Sequence, residues 1–88
     1  MQNMEHSPTK DRPVSLEEAV SIAIQLQQND QWKAAGEIYR SILEVSPNHP
    51  DAVHFSGVLA HQEGRSDEAV ALIERSLELV AVHLRAQA

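Results

Sequence analysis

The stretch Gln62-Glu63-Gly64-Arg65-Ser66-Asp67-Glu68-Ala69-Val70 joins two apolar patterns and sets how the rest of the chain is read. Gly64 directly follows the first pattern. Glycine enters left-handed backbone without a Cβ penalty, so it closes a helix. Ser66, Asp67 and Glu68 then open the next one, with carboxylates at the positive end of the helix dipole. A link this short folds the second helix back along the first. Upstream, a helix from about Pro50 to Glu63 carries Val53, Gly57, Val58 and Ala60, with Phe55 and Leu59 on a flanking face. Downstream, Ala69, Leu72, Ile73, Ser76, Leu77, Val80 and Leu84 follow helical spacing.

The same grammar runs back toward the N-terminus. Ser46-Pro47-Asn48-His49-Pro50 stops a helix that begins near Gln31 and ends near Val45. Proline lacks the N–H that continuation needs, but is harmless in a first helical turn. The stripe of that helix is Ala35, Ile38, Tyr39, Ile42 and Leu43, with Gly36 inside it. Before it, Gln27-Gln28-Asn29-Asp30 closes a first helix, since Asn and Asp tolerate left-handed backbone. That helix opens at Ser15, which forms a capping box with Glu18. Its face is Ala19, Ile22, Ala23 and Leu26, widened by Val20 and Ile24. Residues Met1 to Pro13 are polar, hold two prolines and show no apolar period, which predicts a disordered arm over 1–13. No segment alternates as a strand does. The expected fold is all-α: four antiparallel helices in one domain over 14–88.

A shift of 34 residues superposes the halves. Gln28 falls on Gln62, Ala35 on Ala69, Leu43 on Leu77, Glu44 on Glu78 and His49 on His83. Ala23 meets Gly57, Ile24 meets Val58, Ile38 meets Leu72 and Val45 meets Leu79. A 34-residue helix–turn–helix period resembles the tetratricopeptide repeat family. The first unit, 16–49, is similar in Ala19, Ile22-Ala23, Leu26, Ala35, Tyr39 and Pro47. The second, 50–83, is similar in Val53, Ser56-Gly57, Ala60, Ala69 and Ile73, leaving 84–88 as a helical extension. The resemblance implies a short α-solenoid of two repeats. Small residues at Ala23, Gly57, Ala35 and Ala69 would let paired helices approach. Ser56 stands where the family has a large apolar residue, Ala60 where it has an aromatic, and Ala81 where it has a proline.

Composition narrows the function classes. The chain has 88 residues and a formal net charge of −6, which argues against nucleic acid and against anionic lipid. No apolar run approaches the roughly 20 residues of a membrane span, and the N-terminus lacks a signal-peptide pattern. The expected location is cytoplasmic. With no cysteine, disulfides and thiolate chemistry are excluded. Three glycines cannot supply a phosphate-binding loop, and no hydrolase motif is present. Adjacent acids such as Glu17-Glu18 and Asp67-Glu68 do not face each other on a helix. No catalytic residue, metal ligand set or cofactor is expected. His54 and His61 share a face but stand about 10 Å apart along it, too far to share one ion. Asp51 with His54 makes at most a weak two-ligand pair.

The resemblance further implies a concave groove lined by Glu17, Val20, Ile24 and Gln27 in the first unit and by Asp51, His54, Val58 and His61 in the second. Such a groove holds an extended peptide or a helix. The Lys, Arg and Asn that clamp a C-terminal carboxylate in chaperone-binding members are missing. These positions are equally readable as plain surface. A second candidate lies near the C-terminus. There Leu77, Val80 and Leu84, with Leu79 or Val82, make the last helix apolar nearly all round, and a helix of that kind is normally buried. They are expected to form an interface, either with a second copy or with a following repeat. The expected function is a non-catalytic protein–protein interaction module or scaffold. Two alternatives stand beside it. One is the N-terminal repeat fragment of a larger bacterial glycosyltransferase or sulfotransferase-type enzyme, and the other is a self-assembling structural subunit.

Overall fold

The computed structural model describes residues 14–87. The expected disordered arm, 1–13, lies outside them. Among the described residues there are four helices: α1 (Leu16–Gln28), α2 (Trp32–Val45), α3 (Pro50–Gln62) and α4 (Ser66–Gln87). Among the described residues there is no strand, and the protein is all-α.

Each helix starts and stops for a local reason. Ser15 Oγ accepts from the Glu18 N–H while Glu18 Oε1 accepts from the Ser15 N–H, both at 3.0 Å, so the capping box is closed. After α1, Asp30 takes φ 63° and the Gln31 N–H bonds back to the Leu26 carbonyl at 2.8 Å. After α3, Gly64 takes φ 84° and the Arg65 N–H bonds to the Ala60 carbonyl at 2.8 Å. The turn is the same one, thirty-four positions on. In it a left-handed residue lets the next N–H reach a carbonyl the helix leaves free. Between α2 and α3, His49 Nδ1 accepts from the Ala52 N–H at 3.2 Å and Pro50 takes the first helical position. His49 therefore caps α3 rather than only ending α2. Ser66 lies inside α4 instead of capping it, and Arg65 precedes it, paired with Glu63 and Glu68.

Packing is densest within the pairs α1/α2 and α3/α4, and α3 touches all three other helices. This central position explains why α3 buries Ala52, Val53, Gly57, Leu59 and Ala60, residues on more than one side. Leu59, expected on a flank, is a core residue because α2 covers that flank. The α1 face is likewise rotated from expectation. Val20, Ala23 and Gln27 are buried, whereas Ile22 points outward. The main core joins Val20, Ala23, Ala35, Tyr39, Ile42, Ala52 and Leu59.

Helices α3 and α4 meet at Gly57. A Cβ there would lie 2.8 Å from Ile73 Cγ1, 3.1 Å from Leu72 Cβ and 3.3 Å from the Ala69 carbonyl. A hydrogen at this position lets the two backbones close, as the small-residue reading anticipated. Arg75 fastens α4 to the α2–α3 connection by donating to the Pro47 carbonyl at 3.0 Å and to Asn48 Oδ1 at 2.6 Å. On α4 the burial stops at Ser76. Leu77, Val80 and Leu84, expected on one buried stripe with Leu72 and Ile73, are exposed, because Leu77 is rotated away from the α3 contact that Leu72, Ile73 and Ser76 follow, and the last turns lie beyond it.

Candidate interaction groove

The first helices of the two pairs, α1 and α3, lie against one another, and a shallow groove runs between their C-terminal halves. Its lining is Ile24, Gln27 and Gln28 from α1, with Phe55, Val58 and Gln62 from α3. The volume is about 170 Å³, the size of one large side chain. Ile24, Phe55 and Val58 give it an apolar floor. The three glutamines give it an amide rim.

Two of its three amides, those of Gln27 and Gln62, are tied to the core. Tyr39 Oη donates to Gln27 Oε1 at 2.7 Å, and Gln27 Nε2 donates to Gln62 Oε1 at 2.8 Å. The relay starts in the core on α2, crosses α1 and ends on α3. Burial pushes the Tyr39 hydroxyl up to about 12, because the phenolate would lose its hydration. Tyr39 is therefore a fixed donor at neutral pH. Its bond orients the Gln27 amide, which in turn orients Gln62 at the groove edge.

The expected groove residues divide into three groups. Ile24 and Val58 line the groove, half-buried. Val20 and Gln27 are buried: Val20 belongs to the core, and Gln27 lines the groove only as a member of the relay. Glu17, Asp51 and His61 are exposed, and His54 is half-buried with its ring edge-on to Phe55 at 4.9 Å. Glu17 and Asp51 stand near the starts of α1 and α3. From Ile24 to Glu17 is seven residues, about 10 Å along the axis. The residues that the sequence reading left out are Gln28, Phe55 and Gln62. Only the fold gives them a common role, although Gln62 follows directly on His61 and matches Gln28 in the repeat alignment.

The C-terminal candidate residues occupy α4 beyond its last buried position. Leu77, Val80, Val82 and Leu84 are exposed, and Leu79 is half-buried. Val82 projects from the opposite side of the helix to Leu77. Trp32, at the start of α2, packs against the core edge, and its indole N–H is buried without a hydrogen-bond partner among the described residues. Among the described residues, no three His, Asp or Glu side chains converge as metal ligands, and no helix is long and apolar enough to cross a membrane. Comparison with protein-family models, with curated proteins and with solved structures finds no match for this chain.

Proposed function

We propose that the chain is a non-catalytic protein–protein interaction module of tetratricopeptide-repeat type, a scaffold working in the cytoplasm. Its groove between α1 and α3 takes a peptide with one apolar anchor residue. The observation that carries this reading is the juxtaposition of Ile24, Phe55 and Val58 as a floor with an amide rim in which Gln27 and Gln62 are bonded back to Tyr39. A preorganised rim loses little freedom on binding, which favours recognition by so small a site. Glutamine amides both donate and accept, so they match the main chain of a bound peptide. The exposed carboxylates of Glu17 and Asp51 flank the N-terminal end of the same surface. They favour a ligand with a Lys or Arg about 10 Å from its apolar anchor.

The experiment is selection from a displayed peptide library on the full chain, followed by titration of the selected peptides. The expected peptides carry an apolar anchor with a basic residue on one side. Val58→Lys abolishes their binding and leaves the melt unchanged. Failure to select any peptide, or selected peptides that bind Val58→Lys as well as the wild type, rejects the groove.

A further inference from the structure

The hydrogen-bond relay under the groove has a direction, and the direction is set at its buried end. Tyr39 is 1% exposed and Gln27 5%. The bond from Tyr39 Oη to Gln27 Oε1 is the one hydrogen bond that the phenol makes among the described residues. Turning the Gln27 amide over would aim its N–H at the phenol oxygen and strand the phenol proton in the core, an unsatisfied buried donor. Gln27 therefore keeps its carbonyl toward Tyr39 and its amide N–H toward α3. That N–H donates to Gln62 Oε1 at 2.8 Å. Gln62 is exposed, and what holds its amide one way round is Gln27. Reversal at Gln62 would leave the buried Gln27 N–H without its acceptor. With the Gln62 oxygen turned to Gln27, the Nε2 donors of Gln62 are left for the groove.

We propose that Gln62 is the specificity-determining residue of the groove, presenting a hydrogen-bond donor, with Tyr39 positioning it through Gln27. The proposal rests on the peptide reading of the groove and narrows the ligand. That ligand brings an acceptor next to its apolar anchor. In an extended chain the anchor's main-chain carbonyl points sideways and is free. Inside a helix the carbonyls lie along the axis and already accept from an N–H one turn on. The groove therefore takes an extended segment and not a helix. A spacing follows from this. Glu17 and Asp51 stand about 10 Å along their helices from Ile24 and Val58. An extended chain, rising about 3.3 Å per residue, covers that distance in about three residues, whereas a bound helix needs about seven.

Side-chain amide hydrogen exchange, followed by NMR on the full chain, reads the direction of the relay without a ligand. Gln27 Nε2 is protected, and Gln62 Nε2 exchanges as in water. A protected Gln62 amide overturns the polarity. The peptides selected on the full chain are the second probe. In them a Lys or Arg falls about three residues from the anchor. A spacing of about seven overturns the extended ligand. Replacing the peptide bond after the anchor by an alkene keeps the shape and removes the carbonyl, and it lowers affinity for the wild type by about tenfold. An ester at the same bond keeps the carbonyl and retains the affinity. Gln62→Glu still accepts from Gln27 but has no donors, so it binds the parent and alkene peptides alike. Tyr39→Phe frees the Gln27 amide to turn over, and the preference for the parent peptide shrinks, whereas a purely structural loss weakens both peptides equally. A Gln62→Glu protein that keeps the preference overturns the proposal. Failure to select any peptide rejects the peptide reading itself, and exchange at Gln62 still decides the polarity.

Discussion

Tyr39 donates its hydroxyl to the side-chain carbonyl of Gln27 across 2.7 Å, and both residues are buried. Few polar side chains are buried among the described residues, and here two of them satisfy each other. The pair joins α1 to α2. Its free end, the Gln27 amide, continues to Gln62 on α3. One hydrogen-bonded relay thus spans three helices and fixes the edge of the groove.

A relay of this kind couples its members. Tyr39→Phe leaves the Gln27 carbonyl short of a donor, and Gln27→Met leaves the Tyr39 hydroxyl buried without an acceptor. Each is expected to cost about 1–3 kcal/mol, the usual penalty for an unsatisfied buried group. The double variant removes both ends and should cost less than the sum of the two. Chemical denaturation of the four proteins measures this. Additivity to within about 0.5 kcal/mol would mean that the two side chains do not interact.

Alkaline pH tests the burial of the same hydroxyl. Tyr39 is the only tyrosine, so tyrosinate absorbance reports it alone. In the unfolded chain it titrates near 10. In the fold burial pushes it up to about 12. The native state therefore keeps a proton that the unfolded state releases. This contribution is fully present below about pH 10 and is lost as pH rises through about 12, falling by roughly 2–3 kcal/mol over that window. Tyrosinate forming near pH 10 in a still helical protein would place the hydroxyl in water.

Two helical glycines should respond oppositely to the same change. Gly36→Ala meets only Leu59 Cδ2, at an ordinary 3.4 Å, and gains about 1 kcal/mol in helix propensity. Gly57→Ala gains the same propensity but drives a methyl against Ile73, Leu72 and the Ala69 carbonyl. Overpacking costs about 1–3 kcal/mol, so the net effect is a loss, larger still for Gly57→Leu. Thermal melts should rise for Gly36→Ala and fall for Gly57→Ala. A fully stable Gly57→Leu protein would contradict the close approach of α3 and α4.

The paired turns make a reciprocal prediction. Asp30 carries a Cβ in left-handed backbone, and Gly64 does not. Asp30→Gly should relieve strain and raise stability by up to about 1 kcal/mol, while Gly64→Ala should lower it by about 1–2 kcal/mol. Equal melting temperatures for Gly64→Ala and the wild type would show that the turn tolerates another backbone geometry.

Ser56 is half-buried in a cleft between α2 and α4 lined by Leu43, Leu59 and Leu72. Ser56→Leu places apolar atoms against these three and should add about 1 kcal/mol. A lower melting temperature would mean that the cleft cannot accept the volume.

Much of the fold is legible locally. Ser15 with Glu18, Asp30, Pro50 and Gly64 mark helix ends by chemistry that depends on a few neighbouring atoms. The spacing of Ala35, Tyr39 and Ile42 marks one buried face because α2 has one principal partner. The groove is harder to read. Ile24 and Val58 stand on its floor as anticipated, but Val20, equally apolar and one turn earlier, belongs to the core. Periodicity identifies a face only to within about one residue's rotation, and that rotation exchanges Ile22 for Gln27 on α1.

The sequence by itself determined the number of helices, their boundaries and the recurring turn. Caps, prolines and left-handed residues act within a few bonds, so their effect does not wait for the rest of the chain. The tertiary structure alone decided which sides of α3 are buried, because that depends on having three neighbouring helices rather than on its own pattern. It decided that Gln27, a polar residue next to a helix end, points inward, because only the folded chain brings Tyr39 within hydrogen-bond reach. It also decided that Leu77 points outward while Ser76 is buried. The rotation of α4 is set by the close contact of Gly57 with Leu72 and Ile73, a steric constraint written on two helices at once.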